Sequence, residues 1–389
     1  MGFRKLRADI LFTGKELLHN HVLLISNEGI IEDILPFSAG MEGVETYPGI
    51  LSPGFINCHC HLELSHLKGV IPEHTGLIEF IFAILTRRNS GVDTIDQAIA
   101  LAEQEMLDNG IVAVGDICNT ALTLPQKQKQ QLYYHHFIEV TGFNPAIAEQ
   151  RFIQSQQLYE QFKQLTDKTL GNVSMVAHAP YSVSPELWTF LQQFSGTQLQ
   201  TIHNQETPAE DEWFKQKTGG FKDFYDKVKM ATDHFTATGK SSLQSYYHRF
   251  NPQQPIILVH DVHTTADDIQ YVRELDQQQQ RNSWICLCPN ANQYISNTLP
   301  DIPMLMENDC KLVLGTDSLA SNHQLNIAAE IRTIQAFYPQ IPLVQLLQWA
   351  TLNGAEALQI SHQYGSFEKG KQPGVIQCSS DLQSIKRII

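Results

Sequence analysis

Apolar positions along this chain fall into two regimes that meet near residue 53. Before it, short β-like runs at 8–13, 21–26 and 29–35 are separated by turn signals such as Asn27-Glu28-Gly29. They read as a small sheet of antiparallel strands. After Pro53 and Gly54, compact apolar runs alternate with longer amphipathic stretches, the mark of repeated β-α units. The runs are 55–61, 111–117, 132–140, 173–178, 198–203, 255–260, 284–288 and 311–317. Stretches between them, such as 94–107, 146–165 and 265–275, carry helical periodicity. This predicts an α/β fold, a closed (β/α)8 TIM barrel. Helical stretches at 325–336 and 342–358 follow, then a turn at 365–371 and one or two strands within 374–389. Those strands are expected to rejoin the N-terminal sheet. Residues 1–50 plus 366–389 would then form a small domain beside a barrel of 51–365. The long link 207–252 reads as an insertion over the barrel mouth, or as a surface helical excursion.

Composition narrows the function classes. The chain has 389 residues, of which 42% are hydrophobic, enough for a large core. A net charge of −14 argues against nucleic acid or an anionic membrane as partner. No apolar run reaches the roughly 18 residues of a spanning helix. The start Met1-Gly2-Phe3-Arg4-Lys5-Leu6-Arg7 has no apolar core like that of a signal peptide behind it. Seven cysteines, an odd number, favour free thiols in a reducing compartment, hence the cytoplasm. The expected partner is a small-molecule substrate, with a homodimer left open.

The chemistry sits at the run ends. In a strand, side chains at i and i+2 share a face, so His59 and His61 can grip one ion while Cys58 and Cys60 point away. The fifth run ends at His203 with Glu206 beyond it, the sixth at His260 and the eighth at Asp317. Catalytic groups of such barrels lie at the C-terminal ends of the strands. Three neutral imidazoles and one carboxylate suit Zn2+ or Fe2+ and leave room for one water. A bound metal would bring that water's pKa toward about 7. Glu206 can carry a proton to a substrate ring nitrogen, and His260 can hold the attacking hydroxide or polarise the group under attack. Each residue alone has an ordinary explanation: Glu206 as a helix cap, His260 as a core histidine, Asp317 as an Asx turn. All three coinciding at matching strand ends is far harder to explain that way. Glu139, near the third strand's end, could reach the substrate or pair with an arginine. The pairs Cys58/Cys60 and Cys286/Cys288 lack a partner set for structural zinc and read as buried small residues. Thr238-Gly239-Lys240-Ser241 is not a phosphate loop, because His234 stands where its first glycine is needed.

These residues resemble the amidohydrolase superfamily, in its cytosine-deaminase-like branch. The motifs, in order, are Pro53-Gly54-Phe55-Ile56-Asn57 with His59 and His61; His178-Ala179-Pro180-Tyr181-Ser182-Val183-Ser184; His203 with Glu206; Leu258-Val259-His260; Cys288-Pro289-Asn290-Ala291-Asn292; and Gly315-Thr316-Asp317-Ser318-Leu319-Ala320-Ser321-Asn322. The resemblance implies a barrel flanked by a small β-sandwich built from both termini. It implies His59, His61, His203 and Asp317 as ligands of one Zn2+ or Fe2+, since the fourth run lacks the bridging lysine of binuclear relatives. It makes Glu206 and His260, with Asp317, the catalytic groups, and His178 a substrate contact. The stretch 61–69 looks most like aminodeoxyfutalosine deaminases and their relatives that act on adenosine and S-adenosylhomocysteine, so Glu63 or Ser65 would meet a ribose hydroxyl, or else both belong to a loop turn leaving the first strand. Glu139 and Ser321 complete the candidate substrate contacts. Three departures stand out: Asn57 replaces the family's usual Asp, His203-Asn204-Gln205-Glu206 replaces His-Ala-Glu or His-Leu-Ala-Glu while keeping the His-to-Glu spacing, and Gly370-Lys371-Gln372-Pro373-Gly374 replaces Gly-Lys-x-Ala-Asp. The implied activity is deamination of an adenine-type nucleoside by metal-hydroxide attack. The same site could instead hydrolyse another C–N or C–Cl bond, as guanine or cytosine deaminases, cyclic amidases and chlorotriazine hydrolases do. A catalytically dead barrel used for binding would be expected to have lost ligands, and none is missing.

Overall fold

The structure, a computed structural model, describes residues 2–88 and 94–389. Met1, which begins the N-terminal stretch read above, lies outside them. Strands β1 (Phe3–Phe12), β2 (Leu17–Leu18), β3 (His21–Ser26), β4 (Ile31–Pro36) and β5 (Val44–Pro53) come first. Then β6 (Phe55–Cys60), β7 (Ile111–Cys118), β8 (Tyr133–Val140) and β9 (Gly171–Ala177) alternate with helices. So do β10 (Gln200–Asn204), β11 (Ile256–His260), β12 (Ser283–Leu287) and β13 (Leu312–Leu314). Strands β14 (Val375–Cys378) and β15 (Ile385–Arg387) end the chain. The eight apolar runs fall on β6–β13, with ends differing by a few residues. These strands are almost wholly buried, as near-continuous apolar runs covered by helices must be.

Strands β6-β7-β8-β9 and β10-β11-β12-β13 form two four-stranded sheets in which every pairing is parallel. Their edges are stitched together on both sides. On one, Cys60 bridges Asp317 in parallel, and the Thr316 and Asp317 amides donate to the His59 carbonyl at 3.0 and 3.1 Å. On the other, the His203 amide donates to the His178 carbonyl at 3.0 Å. Asn57 adds a third link: its Nδ2 donates to Thr316 Oγ1 at 2.7 Å, and its Oδ1 accepts from the Thr316 amide at 3.1 Å. An amide can donate and accept there at once, which accounts for how Asn fits the position.

The two ends of the chain share one seven-stranded sheet, ordered β15-β14-β5-β1-β3-β4 with β2 on β1. One expectation is corrected here. Strand β5 pairs with β1 in parallel, so the N-terminal sheet is not wholly antiparallel. After β4, at the sheet edge, the chain crosses back and lays β5 along the far side of β1 in the same direction. A second correction concerns 342–358, which is two helices, Leu343–Ala350 and Leu352–Ala357. They break at Thr351 (φ −132°, ψ −88°), whose hydroxyl donates to the Leu347 carbonyl at 2.6 Å.

The segment after β10 holds helices Pro208–Gln216, Gly220–Lys227 and Ser242–Tyr246. Trp213, Phe221 and Tyr225 on the first two pack in one apolar cluster with Leu67, Phe143 and Tyr181. The last three sit on loops that follow β6, β8 and β9, so this segment packs at the C-terminal ends of the strands. All seven cysteines are free, and all but the half-buried Cys310 are buried. Among the described residues, no helix is long and apolar enough to cross a membrane.

Candidate active site

Four ligand atoms converge at the C-terminal ends of β6, β10 and β13. His61 Nε2 lies 3.2 Å from both His59 Nε2 and His203 Nε2. Asp317 Oδ1 lies 3.4 Å from His59 Nε2 and 3.3 Å from His61 Nε2. All four side chains are buried. A neutral imidazole has one proton to donate, so His61 Nε2 cannot satisfy both neighbours by hydrogen bonding. Lone pairs converging in this way need a cation between them. Ligands bound to zinc at about 2.0–2.1 Å in a tetrahedron stand about 3.3 Å apart, the spacing seen here. The residues present therefore fit one divalent ion.

Electrostatics agree with that fit. Burial holds His61 well below the usual histidine pKa and His203 down at about 4, so both rings are neutral, the ligating form. Burial would raise Asp317, but the hydrogen bond from His59 and the neighbouring His61 and His260 hold it well below the usual carboxylate range. The outer shell fixes orientation. His203 Nδ1 donates to the His178 carbonyl at 2.8 Å, leaving Nε2 free as a ligand. Ser321 Oγ donates to Asp317 Oδ2 at 2.5 Å, leaving Oδ1 for the metal position.

Backbone strain gathers at these strand ends. Gln205 (φ +43°), His260 (φ +80°), Asp261 (φ +52°) and Asp317 (φ +55°) all occupy the left-handed region. Each costs about 1–2 kcal/mol for a residue other than glycine, a cost that recurs where a site over-determines its geometry. At His260 and Asp317 the turn delivers the side chain to the site, whereas the Gln205 and Asp261 side chains tie β10 to β11. The link from β10 to β11 is held by Asn204 Nδ2, which donates to Asp261 Oδ1 at 2.8 Å.

Beside the metal position stand Glu206 and His260, with Glu206 Oε2 3.7 Å from His260 Nε2. Burial, then the charges of Asp317 and Glu210, push Glu206 well above the usual carboxylate range, so it holds a proton. Burial keeps His260 well below the usual range for histidine, hence neutral. Asn292 Nδ2 lies 3.0 Å from His260 Nδ1. The amide nitrogen donates, so Nδ1 accepts and the ring proton of the neutral His260 sits on Nε2, facing the site.

A cavity of about 180 Å³ opens over these groups. Its floor is His61, His203, His260, Asp317 and Glu206, and one wall is apolar, from Leu77, Phe80, Ile81 and Ile84. Three of the expected substrate contacts line it: His178, Glu63 and Glu139. His178 follows β9, with Nδ1 2.7 Å from Ser182 Oγ, and burial draws its pKa down to about 4. Glu139 Oε2 accepts from Asn119 Nδ2 at 3.0 Å, while its buried Oε1 has no hydrogen-bond partner among the described residues. Glu63 Oε2 accepts from the Asn119 and Thr120 amides and from Thr120 Oγ1, at 3.1, 2.9 and 2.7 Å. Burial lifts Glu63 to about 7.

Two of the expected contacts stand outside the cavity lining. Ser65 is buried outside the cavity lining, with its hydroxyl donating to the Leu62 carbonyl at 2.7 Å. Ser321 is fully buried behind Asp317 and holds that carboxylate; Ser318 lines the cavity in its place. Sequence reasoning also passed over Asn119, Arg88 and Asn292. Asn292 stood inside a quoted motif, four residues beyond Cys288 on the helix Pro289–Ser296, which turns it back toward His260. Asn119 and Arg88 gave no signal, because loop residues from two different β-α units meet only in the fold. A larger cavity of about 250 Å³ lies at the other end of the strands, beside Asn282 and Lys311, and gathers none of these groups.

Comparison with known proteins gives a consistent picture. A model of the Amidohydrolase family matches residues 50–387. An adenosine deaminase of Helicobacter pylori (strain ATCC 700392 / 26695) is 25% identical over 329 residues, covering 83% of this chain and 77% of that protein. The crystal structure of H. pylori aminofutalosine deaminase in complex with methylthio-coformycin superposes with a TM-score of 0.83 at 21% identity, covering 99% of this chain and 100% of that one. That of an adenosine deaminase from Xanthomonas campestris with bound zinc gives a TM-score of 0.72 at 19% identity, covering 99% and 89%.

Proposed function

This chain belongs to the amidohydrolase family, and we propose that it is a mononuclear metal-dependent aminohydrolase that deaminates an adenine-type nucleoside, such as aminodeoxyfutalosine, releasing ammonia. The observation that carries this reading is the convergence of three imidazole nitrogens and one carboxylate oxygen beside the buried Glu206. The relatives named as adenosine and aminofutalosine deaminases support the choice of substrate.

Residues His59, His61, His203 and Asp317 would hold one zinc or ferrous ion. That ion would supply Lewis acidity, lowering the pKa of a water at neutral pH. The chain's own groups do the rest. Asp317 takes a proton from the attacking water, which adds to the ring carbon bearing the amine. Glu206 gives its proton to the adjacent ring nitrogen. His260 presents its ring nitrogen to the oxygen that has added and stabilises the tetrahedral adduct. Glu206, now a carboxylate, takes the proton held by Asp317 and passes it to the amine; ammonia departs as the carbonyl forms, and the adduct's hydroxyl proton returns to Glu206. Water plus the aminated ring gives the carbonyl and ammonia, so the proton count closes. The apolar wall excludes bulk water, and His178, Glu63 and Glu139 bind the polar edge of the substrate.

We also read residues 51–365 as a closed (β/α)8 barrel, supported by the stitches at both sheet edges. The shared sheet of 1–50 plus 366–389 would fold as a small β-sandwich around Leu6, Leu23, Leu51 and Val375, and 207–252 would cover the mouth. Buried free thiols support placement in the cytoplasm.

The test is metal content by elemental analysis, together with ammonia release from adenosine, 5'-methylthioadenosine and aminodeoxyfutalosine. About one ion per chain and rapid release from one nucleoside is the expected result. One ion with no ammonia, but with chloride release or ring opening on other substrates, would move the protein to another hydrolase class.

A further inference from the structure

We propose that Glu210, seven residues beyond His203, is the positioning residue that sets the proton carrier Glu206. This inference rests on the reading of Glu206 given above. Strand β10 ends at Asn204, and the chain then turns through Gln205 in the left-handed region (φ +43°). That turn points the amides of Gln205 and Glu206 to one side, a concave pair of donors suited to an anion.

Glu210 fills the concavity from the first turn of the helix Pro208–Gln216. Its Oε1 accepts from the Glu206 amide at 2.9 Å and its Oε2 from the Gln205 amide at 3.1 Å. Ser242 Oγ, from the helix Ser242–Tyr246, donates to Oε2 at 3.1 Å. Glu210 is fully buried and is absent from the lining of the substrate cavity. It therefore makes no contact with the cavity and meets Glu206 at the backbone amide.

The clamp is matched by ties on the Gln205 side chain. Gln205 Oε1 accepts from Thr264 Oγ1 at 2.8 Å, and its Nε2 donates to Asp268 Oδ2 at 3.2 Å. The His263 amide donates to the Gln205 carbonyl at 2.9 Å. The turn is thus fixed on three sides, and Glu206 leaves it with its side chain set toward His260. Without the two-pronged acceptor, nothing in the described residues holds the Glu206 amide, and the carboxyl can swing away from the ring nitrogen it must protonate. Both Glu210 oxygens accept backbone amides, so the geometry holds it as the carboxylate although burial lifts its pKa to about 8; an amide in its place offers one acceptor.

The experiment compares Glu210→Gln, Glu206→Gln and the double variant, all in the metal-loaded full chain. The readouts are kcat and KM for ammonia release from the nucleoside the protein prefers, metal content and melting temperature. Expected for Glu210→Gln is a kcat lower by about tenfold or more, with KM, metal content and melting temperature close to those of the parent. In the Glu206→Gln background the same change should have little further effect, because the group being positioned is gone. Unchanged kcat in Glu210→Gln overturns the proposal, as does an equal loss in both backgrounds, or a loss accompanied by lost metal in a folded protein. If Glu210→Gln does not fold, Ser242→Ala frees one side of the clamp; a fall in kcat of a few-fold supports the proposal and no fall overturns it. Full activity in Glu206→Gln overturns the reading of Glu206 and this inference together, whereas loss there with none in Glu210→Gln overturns this inference alone.

Discussion

Replacing Lys127 by Met should destabilise the protein through a group that touches no substrate. Lys127 Nζ lies 2.5 Å from Asp116 Oδ2, and both side chains are 0% exposed. Cys118 Sγ is 3.2 Å from the same nitrogen. Burial would strip the ammonium of its proton, but Asp116 and Cys118 outweigh it and hold the pKa above its usual value. Asp116 Oδ1 accepts from the Leu62 amide at 2.9 Å, immediately after His61. Met fills similar volume but leaves Asp116 a buried charge with only the Leu62 amide and the Cys118 thiol as donors. Breaking a buried pair from one side costs about 3–5 kcal/mol. Unfolding entropy near 60 °C is about 2.1 cal/mol/K per residue, or roughly 0.8 kcal/mol/K for a chain this long, so the melting temperature should fall by about 4–6 °C. Adding Asp116→Asn removes the stranded charge and keeps an acceptor for Leu62. The double variant should therefore recover at least half of the loss. Calorimetry at one scan rate, with metal content measured in parallel, decides the matter. A Lys127→Met protein that melts within about 1 °C of the parent, or a double variant that melts below it, would refute the argument.

Three further outcomes are expected. Activity should be lost as pH rises through the raised pKa of Glu206, because its protonated form is the donor; a kcat profile flat through the alkaline range would count against that role. Asn292→Ala should lower kcat by about tenfold or more through loss of the partner that sets the His260 tautomer, with metal content unchanged by elemental analysis. Burial lifts Glu330 to about 8 from an unfolded value of 4.5, while the Asn290 amide and the Asn322 side chain donate to it. The folded state therefore binds the extra proton: this group's stabilisation is full below pH 4.5 and is lost as pH rises toward 8. Glu330→Gln should flatten the fall of melting temperature across that window, and an unchanged slope would show that Glu330 does not titrate there.

Much of the molecule can be read directly from the order of its residues. Apolar runs of strand length between amphipathic stretches require parallel strands under helices, because each strand is hydrophobic on both faces. His59 and His61 share a face because a strand repeats every two residues, and His203, His260 and Asp317 end apolar runs. One periodicity failed at Thr351, where an apolar stretch long enough for one helix breaks into two. The parallel pairing of β1 with β5 is likewise invisible locally, since a crossover leaves no mark on either strand.

What the sequence by itself determined is where the candidate histidines and carboxylates stand along the strand ends, since strand and helix periods act over a few neighbouring positions. Only the tertiary structure decided what each side chain faces. It turned Ser321 toward the Asp317 carboxylate and Ser65 back onto its own loop, away from the substrate. It brought Glu63 to the Asn119–Thr120 turn and Glu210 beneath Glu206. Those pairings depend on closing sheets across long stretches of chain and on left-handed turns at Gln205, His260 and Asp317. Such conformations are unfavourable for the isolated residues and persist only because the packed site holds them.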